Sequence, residues 1–142
     1  MSKQEEAGLI LKLYELRREE KMRQARDWYF SQFHPETIAD YNAALFGPHS
    51  GYVRMVVSYW DMAAGLVNNG AISIDLFNDA NGEQIGVFSK IEPFLTELRA
   101  QLGPHFLANL EKLIDATPNG RKRVADARER VKAMRARMAA SQ

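Results

Sequence analysis

Residues 51–70, GYVRMVVSYWDMAAGLVNNG, decide the fold of this chain. Read at helical spacing, the stretch is apolar on almost every side, and a helix of that kind is buried. We therefore predict a central helix, with Trp60 in the core and the other helices packed around it. Ser50 is a suitable N-cap. The run Asn68-Asn69-Gly70 predicts the end of the helix, because glycine readily adopts the left-handed conformation that ends many helices.

A narrow polar stripe interrupts this helix at Arg54, Ser58 and Asp61, which share one face. Two interpretations are open. The stripe could line a polar pocket at Arg54 and Asp61 in a small enzyme or ligand-binding bundle. It could instead be structural, either reaching solvent or being neutralised by a partner such as Arg99. Because a buried charge is tolerated only when it is paired, we favour the structural interpretation and predict an Asp61–Arg99 ion pair.

The remaining segments also have helical patterns, and no stretch alternates at a period of two for long. The fold class is therefore all-α: an irregular bundle of about five to seven helices around residues 51–70, with long N- and C-terminal helices. Besides the central helix, the predicted helices cover Lys3–Phe33, 36–45, 83–102 with a kink or restart at Pro93, 105–115 and 121–140, with a short additional helix over 74–79.

Composition predicts one helical domain over residues 1–142, which is 46% hydrophobic and 26% charged. Residues 1–25 and 119–142 are candidates to extend from the core as interface helices. The chain has no cysteine, which excludes disulfide frameworks, thiolate metal sites and cysteine nucleophiles and fits a cytoplasmic location. Neither a signal-peptide pattern nor a long uncharged apolar window is visible, so we predict no membrane span.

The net charge of +1 conceals a strong asymmetry along the chain. Residues 34–118 carry ten acidic and four basic side chains, whereas residues 119–142 carry eight basic and two acidic ones. An acidic body with a basic end indicates either self-complementary assembly or an anionic partner.

The basic C-terminal helix raises the alternative of a nucleic-acid-binding accessory protein. Its candidate phosphate contacts are Arg121, Lys122, Arg123 and Arg128. However, the helix has no interleaved aromatic residues and no Asn or Gln placed for base edges. A charge run of this kind is more often a solvated helix face, so nucleic acid is the weaker interpretation.

The terminal helices also carry apolar residues that suit an interface. On the C-terminal helix these are Val124, Val131, Met134 and Met138, which with Ala127 form a thin seam at steps of three and four. On the N-terminal helix they are Leu9, Leu13 and Leu16, which precede the charged run Arg17–Lys21. We therefore predict a non-enzymatic helical interaction or scaffold domain that self-associates as a homodimer, with another protein partner left open.

No pattern predicts a catalytic residue, a cofactor or a metal. His34, His49 and His105 each lie beside a proline at a helix boundary, where histidine is common, and no pair has the spacing of a helical metal site. The chain contains neither a glycine-rich phosphate loop nor a Gly-x-Ser-x-Gly motif.

From about Arg26 to Ile114 the pattern resembles a bacterial family of helical domains of unknown function, number 4760 among such families. The features that carry the resemblance are Trp60-Asp61, Leu66-Val67 with Gly70, the restart over 72–76, and the later segment IEPFLTELR, which contains Ile91, Pro93 and Arg99. In that family the aromatic residue is usually followed by Glu, where this chain has Asp61. The resemblance implies an all-helical fold and implies no activity, substrate or cofactor. Many members carry a membrane segment ahead of the domain, so it implies no location either.

Overall fold

Helix α4, Ser50–Asn68, lies at the centre of the structure, a computed structural model that describes residues 2–141. Its buried face consists of Val53, Val56, Val57, Trp60, Ala63, Ala64 and Val67. Trp60 is only 1% exposed, as predicted. The helix is not buried all round, because Arg54, Met55, Ser58 and Met62 are exposed along its other face.

Within residues 2–141 the chain forms nine α-helices and no strand, which confirms the all-α fold class. The helices are α1 Lys3–Arg17, α2 Glu20–Ser31, α3 Ile38–Leu45, α4 Ser50–Asn68, α5 Ile74–Ala80, α6 Glu83–Ser89, α7 Leu95–Leu102, α8 Ala108–Ala116 and α9 Gly120–Ala140. A 3-10 turn, Glu92–Phe94, precedes α7. None of these helices combines the length and the hydropathy that a membrane crossing requires.

The helices outnumber the predicted five to seven because two predicted helices are interrupted. The segment Lys3–Phe33 breaks at Arg18 and Glu19, where the Glu19 carboxylate accepts the Met22 N–H at 3.2 Å and so caps α2. The segment 83–102 breaks after Ser89 and restarts through the turn that contains Pro93. Proline has no N–H for a helical hydrogen bond, so it suits the start of a helix and not its interior.

Helices α2 and α8 pack on α4, and α9 packs on α6. The side chain of Glu83, the first residue of α6, links two of these elements. Its carboxylate accepts the indole N–H of Trp60 at 2.9 Å and the Arg26 guanidinium at 2.7–3.0 Å. This long-range ion pair between α2 and α6 was not predicted from the sequence.

Helix α1, one of the two segments expected as extensions, packs on the bundle. Leu13 is buried in the core, and the Tyr59 hydroxyl donates to its backbone carbonyl. Near the start of α1, the buried Glu6 carboxylate accepts the Ser73 N–H at 2.6 Å. Hydrogen bonds near both ends of α1 therefore hold the helix against the body.

Candidate interaction surfaces

The first half of α9 is docked on the body of its own chain. Val124 and Ala127 are buried, and Gly120 lies so close to the Ile114 carbonyl that a Cβ there would overlap it. The close approach explains why glycine, a poor residue within helices, begins α9. This half of the seam therefore already has its apolar partner.

Ion pairs hold the same half of α9. Arg121 contacts three carboxylates, at 2.7 Å from Asp115, 2.8 Å from Glu111 and 2.9 Å from Glu92. Hydrogen bonds from the guanidinium lower the pKa of Glu111 and of Asp115, and the carboxylates raise the pKa of Arg121. Arg128 contacts Glu92 at 2.6 Å and donates to a backbone carbonyl. The acidic body and the basic helix thus meet within one chain.

These contacts involve most of the residues that were predicted to bind phosphate. Arg121 and Arg128 have the partners described above, and Lys122 pairs with Asp126 at 2.9 Å on the same helix. Arg123 is exposed and forms no ion pair with another residue of the described range 2–141. A nucleic acid at this face would have to displace protein carboxylates.

The second half of α9 is solvent-exposed. From residue 132 to residue 141 every side chain is exposed, and Met134 and Met138 are 58% and 63% exposed. Val131, which joins the two halves, is half-buried. We call residues 131–140 the α9 end. There Met134 and Met138 continue the predicted seam and are exposed to solvent.

The predicted interface residues on α1 are only partly exposed. Leu13 is buried and Leu9 is half-buried, whereas Leu16 is exposed. The sequence interpretation missed Leu11, which is 65% exposed, and Tyr14. Together with Ala7 they form an exposed apolar stripe at steps of four and three, and that spacing was the signal that could have revealed it. We call Ala7, Leu11 and Tyr14 the α1 stripe.

Asp61 and Arg99, which the sequence suggested as an ion pair, have different partners. The Asp61 carboxylate accepts the Leu110 N–H at 2.9 Å, in the first turn of α8, where the N-cap residue provides no capping side chain. Arg99 contacts Glu111 at 2.8 Å and donates to the Phe106 carbonyl. Helix α8 thus offers a free N–H to Asp61 and a carboxylate to Arg99, while the buried Nη2 of Arg99 has no hydrogen-bond partner among the described residues.

The remainder of the α4 stripe lies at the surface of the protein. Arg54 and Ser58 are exposed, and the Arg54 guanidinium donates to the Ser50 hydroxyl one turn earlier.

Within residues 2–141 no three His, Asp or Glu side chains form a group that could hold a metal ion. His49 is stacked on Trp28 with the ring centroids 4.8 Å apart.

A concave cleft of about 500 Å³ lies between α9 and the two segments that contain His34 and Lys90. We call it the Lys90 cleft, and its lining residues are His34, Pro35, Glu36, Ser89, Lys90, Pro93, Phe94, Arg128, Val131, Lys132 and Arg135. Lys90 is 8% exposed. Its ammonium group donates to the Phe33 carbonyl at 2.6 Å and lies 3.1 Å from His34 Nδ1.

The electrostatics of the cleft are unusual for a protein surface. Burial, with a contribution from the nearby positive charge of Arg135, lowers the pKa of Lys90 to about 8. Burial and the charge of Lys90 also lower the pKa of His34. Positive groups therefore converge in this part of the molecule.

The model of the family described as domain of unknown function (DUF4760) matches residues 4–117. The chain belongs to the DUF4760 family. The match confirms the resemblance found in the sequence, and it extends that resemblance toward both ends of the domain. No curated protein and no solved structure matches the chain.

The DUF4760 match begins at the second residue of α1, continues through α8 and ends three residues before α9. The lining of the Lys90 cleft therefore comes from two parts of the chain. His34 and Lys90 lie within the DUF4760 domain, whereas Arg128, Lys132 and Arg135 are contributed by α9. The Lys90 cleft forms where the helix that follows the matched region packs on that region.

Proposed function

We propose that this DUF4760 protein is a non-enzymatic interaction domain that associates with a second copy of itself through the α9 end. The observation that carries the proposal is the exposure of Met134 and Met138 on the stripe that is buried at Val124 and Ala127. An apolar stripe that continues beyond its own body indicates a surface for another chain.

The two halves of α9 support this division of roles. The first half has its own ion pairs, so it needs no partner to stay in place. The α9 end has a thin apolar seam between cationic side chains. Since a helix with little apolar area is marginal alone in water, a contact along the seam would stabilise it.

Charge restricts which surface of the second copy can meet the α9 end. Arg130, Lys132, Arg135 and Arg137 surround Met134 and Met138, so two α9 ends would repel each other. The α1 stripe is exposed and has helical spacing. The Glu15 carboxylate beside it pairs with Lys12 at 3.6 Å, and the guanidinium groups of Arg17 and Arg18 lie over the Tyr14 ring. We therefore propose that the α9 end of one copy packs on the α1 stripe of the other, and that a twofold axis repeats the contact.

The test is the oligomeric state of matched variants in sedimentation velocity. Met134→Lys places a charge within the proposed contact and should shift the dimer toward monomer by about tenfold in Kd. Leu11→Lys should do the same from the other side. Met62→Lys is the control, because Met62 on α4 is 45% exposed and lies outside both surfaces. Deletion of residues 132–142 should also give a monomer, and added salt should weaken the dimer.

Two outcomes would contradict the proposal. One is a monomeric wild-type protein at about 50 μM, a concentration at which a micromolar dimer would be populated. The other is an equal shift in Met62→Lys and Met134→Lys, which would indicate a general effect of added charge.

The alternatives have less support. Nucleic-acid binding would use cations that carboxylates of the same chain already neutralise, including Arg121 and Arg128. A pocket enzyme at Arg54 and Asp61 would need convergent polar groups, but Arg54 is exposed and Asp61 caps α8. We also propose a cytoplasmic location, supported by the absence of cysteine from the chain.

A further inference from the structure

Lys90 is a buried cation that has no anionic partner among the described residues. Its ammonium group contacts a carbonyl and an imidazole nitrogen, and it lies 5.6 Å and 5.9 Å from the ring centroids of Tyr29 and Phe30. None of the ion pairs within residues 2–141 includes it. Burying a charge without an opposite charge is costly, so such groups often mark binding sites.

The contacts of Lys90 also determine the state of His34. Since the ammonium group can only donate, Nδ1 of His34 accepts from it, and Nε2 carries the proton toward the Ser31 carbonyl at 3.3 Å. This imidazole is therefore neutral and adds no charge to the cleft. It holds Lys90 in position without neutralising it.

Helix α9 adds three more cations to the cleft, and two of them are loosely held. Arg128 is tightly paired with Glu92, but Lys132 lies 3.5 Å from Glu129 and Arg135 lies 3.7 Å from Glu36. Exposed pairs at such distances contribute little and exchange readily. Lys132 and Arg135 can therefore leave these carboxylates and contact a ligand with little loss of free energy.

The shape of the cleft indicates a small molecule with an apolar part. Its volume of about 500 Å³ lies within the range of small-molecule sites. Apolar side chains line it beside the cations, namely Pro35, Pro93, Phe94 and Val131. An extended macromolecular surface would fit a concave site of this size poorly.

We propose that the Lys90 cleft binds a phosphate monoester that carries an apolar group. Lys90 and Arg135 would contact the phosphate oxygens, and Phe94 and the adjacent prolines would cover the apolar group. A dianionic phosphate provides the charge that several converging cations lack, and both lysine and arginine are common phosphate ligands. The site combines the DUF4760 domain with α9. It shares Val131, Lys132 and Arg135 with the α9 end, but its argument does not rest on the self-association proposed above.

The experiment is a titration of the full chain with phenyl phosphate. Binding is measured by calorimetry and by the NMR signals of the His34 ring. We expect saturable binding of one ligand per chain and a shift of the His34 signals. Arg135→Glu should weaken binding at least about tenfold, since it replaces a ligand-facing cation by an anion. Arg137→Glu is the matched control: it makes the same charge change two residues away, outside the cleft, and should change Kd less than about twofold.

Two further measurements identify the ligand class. Inorganic phosphate should bind more weakly than phenyl phosphate because it cannot use the apolar walls, and benzoate should bind more weakly because it carries one charge. Lys90→Met should abolish binding while the far-ultraviolet circular dichroism of the helices is retained. If that variant does not fold, Arg135→Glu and its control still decide the question.

Three results would overturn the proposal. The first is an absence of saturation by phenyl phosphate at about 10 mM, which corresponds to a binding free energy below that of a specific site. The second is an equal loss of affinity in Arg135→Glu and Arg137→Glu, which would indicate attraction by net charge alone. The third is tighter binding of benzoate than of phenyl phosphate, which would make the cleft a carboxylate site.

Discussion

Trp60 combines two roles in the core, because its ring is buried while its indole N–H donates to Glu83. Trp60→Ala should lower the free energy of unfolding by about 3–5 kcal/mol, the cost of a large core truncation. Trp60→Phe keeps most of the packing and loses the hydrogen bond to a charged group, so its cost should be about 2 kcal/mol. Urea titrations of the three proteins measure both differences, and a loss below about 1 kcal/mol for Trp60→Ala would exclude a core role.

Asp61 acts on a helix other than its own, as the cap of α8. Asp61→Ala should cost about 1 kcal/mol, the usual cost of losing a capping acceptor, and Asp61→Asn should cost less because its amide oxygen can still accept. Because Asp61 and Arg99 have separate partners, a double-mutant cycle between them should give a coupling below about 0.5 kcal/mol, smaller than that of Arg99 with Glu111. A larger Asp61–Arg99 coupling would restore the direct pair suggested by the sequence.

Helix α9 depends on Arg121 for its attachment. Arg121→Ala should lower stability by about 1 kcal/mol, a modest value because the guanidinium is partly exposed. The buried amides of Val124 and Ala127 should exchange faster with solvent deuterium in this variant. Arg123→Ala is the control, since Arg123 lies on the same turn, is exposed and lacks an ion pair among residues 2–141. Similar exchange in the two variants would contradict the attachment.

The ion pairs of Arg121 with Glu111 and Asp115 also make the stability of the protein depend on pH. Arg121 lowers the pKa of Glu111 and of Asp115, so their contribution to stability is complete above their ordinary pKa values and disappears as pH falls through the lowered ones. The stability difference between wild type and Arg121→Ala should therefore be constant near neutral pH and shrink below about pH 4. A difference that grows in acid would contradict this assignment.

Helix periodicity was enough to predict α4, α8 and the docking half of α9, because each buries a regular apolar face. It failed at Arg18 and Glu19, where neither glycine nor proline marks the break and only the carboxylate of Glu19 caps the next helix. Local capping of this kind is a weak signal within a charged run.

Most of the proposed site could not be predicted, because its chemistry depends on contacts between distant segments. In the sequence Lys90 resembles any other lysine, and only the packing of His34 and α9 around it makes it a buried cation. The sequence singled out Asp61 and Arg99 as charges that need partners, but the backbone N–H that Asp61 contacts cannot be predicted from side-chain patterns. The α9 seam was visible, and the structure shows which part of it the body already covers.

Above about pH 8 the stability of the whole molecule should depend on buried lysine and tyrosine side chains, whose titrations change stability in opposite directions. The pKa of Lys90 is lowered to about 8, so between that pH and its ordinary value the unfolded chain binds more protons and stability rises with pH. Burial raises the pKa of Tyr29 and Tyr41, and that of Tyr59 to about 12. Above about pH 10 the folded chain therefore keeps protons that the unfolded chain loses, and stability falls.

The free energy of unfolding, measured with urea across this range, should therefore be highest at about pH 10. Between pH 8 and that maximum, Lys90 should raise it by about 2 kcal/mol. Lys90→Met removes the rise and keeps the fall, because the tyrosines are unchanged. The difference between the two proteins isolates Lys90, since all other titrating groups are common to both. Phenyl phosphate should flatten the rise in the wild type alone, because a bound anion favours the charged ammonium group and raises its pKa. Parallel profiles for the two proteins would show that Lys90 titrates as a solvated lysine and is not a buried cation.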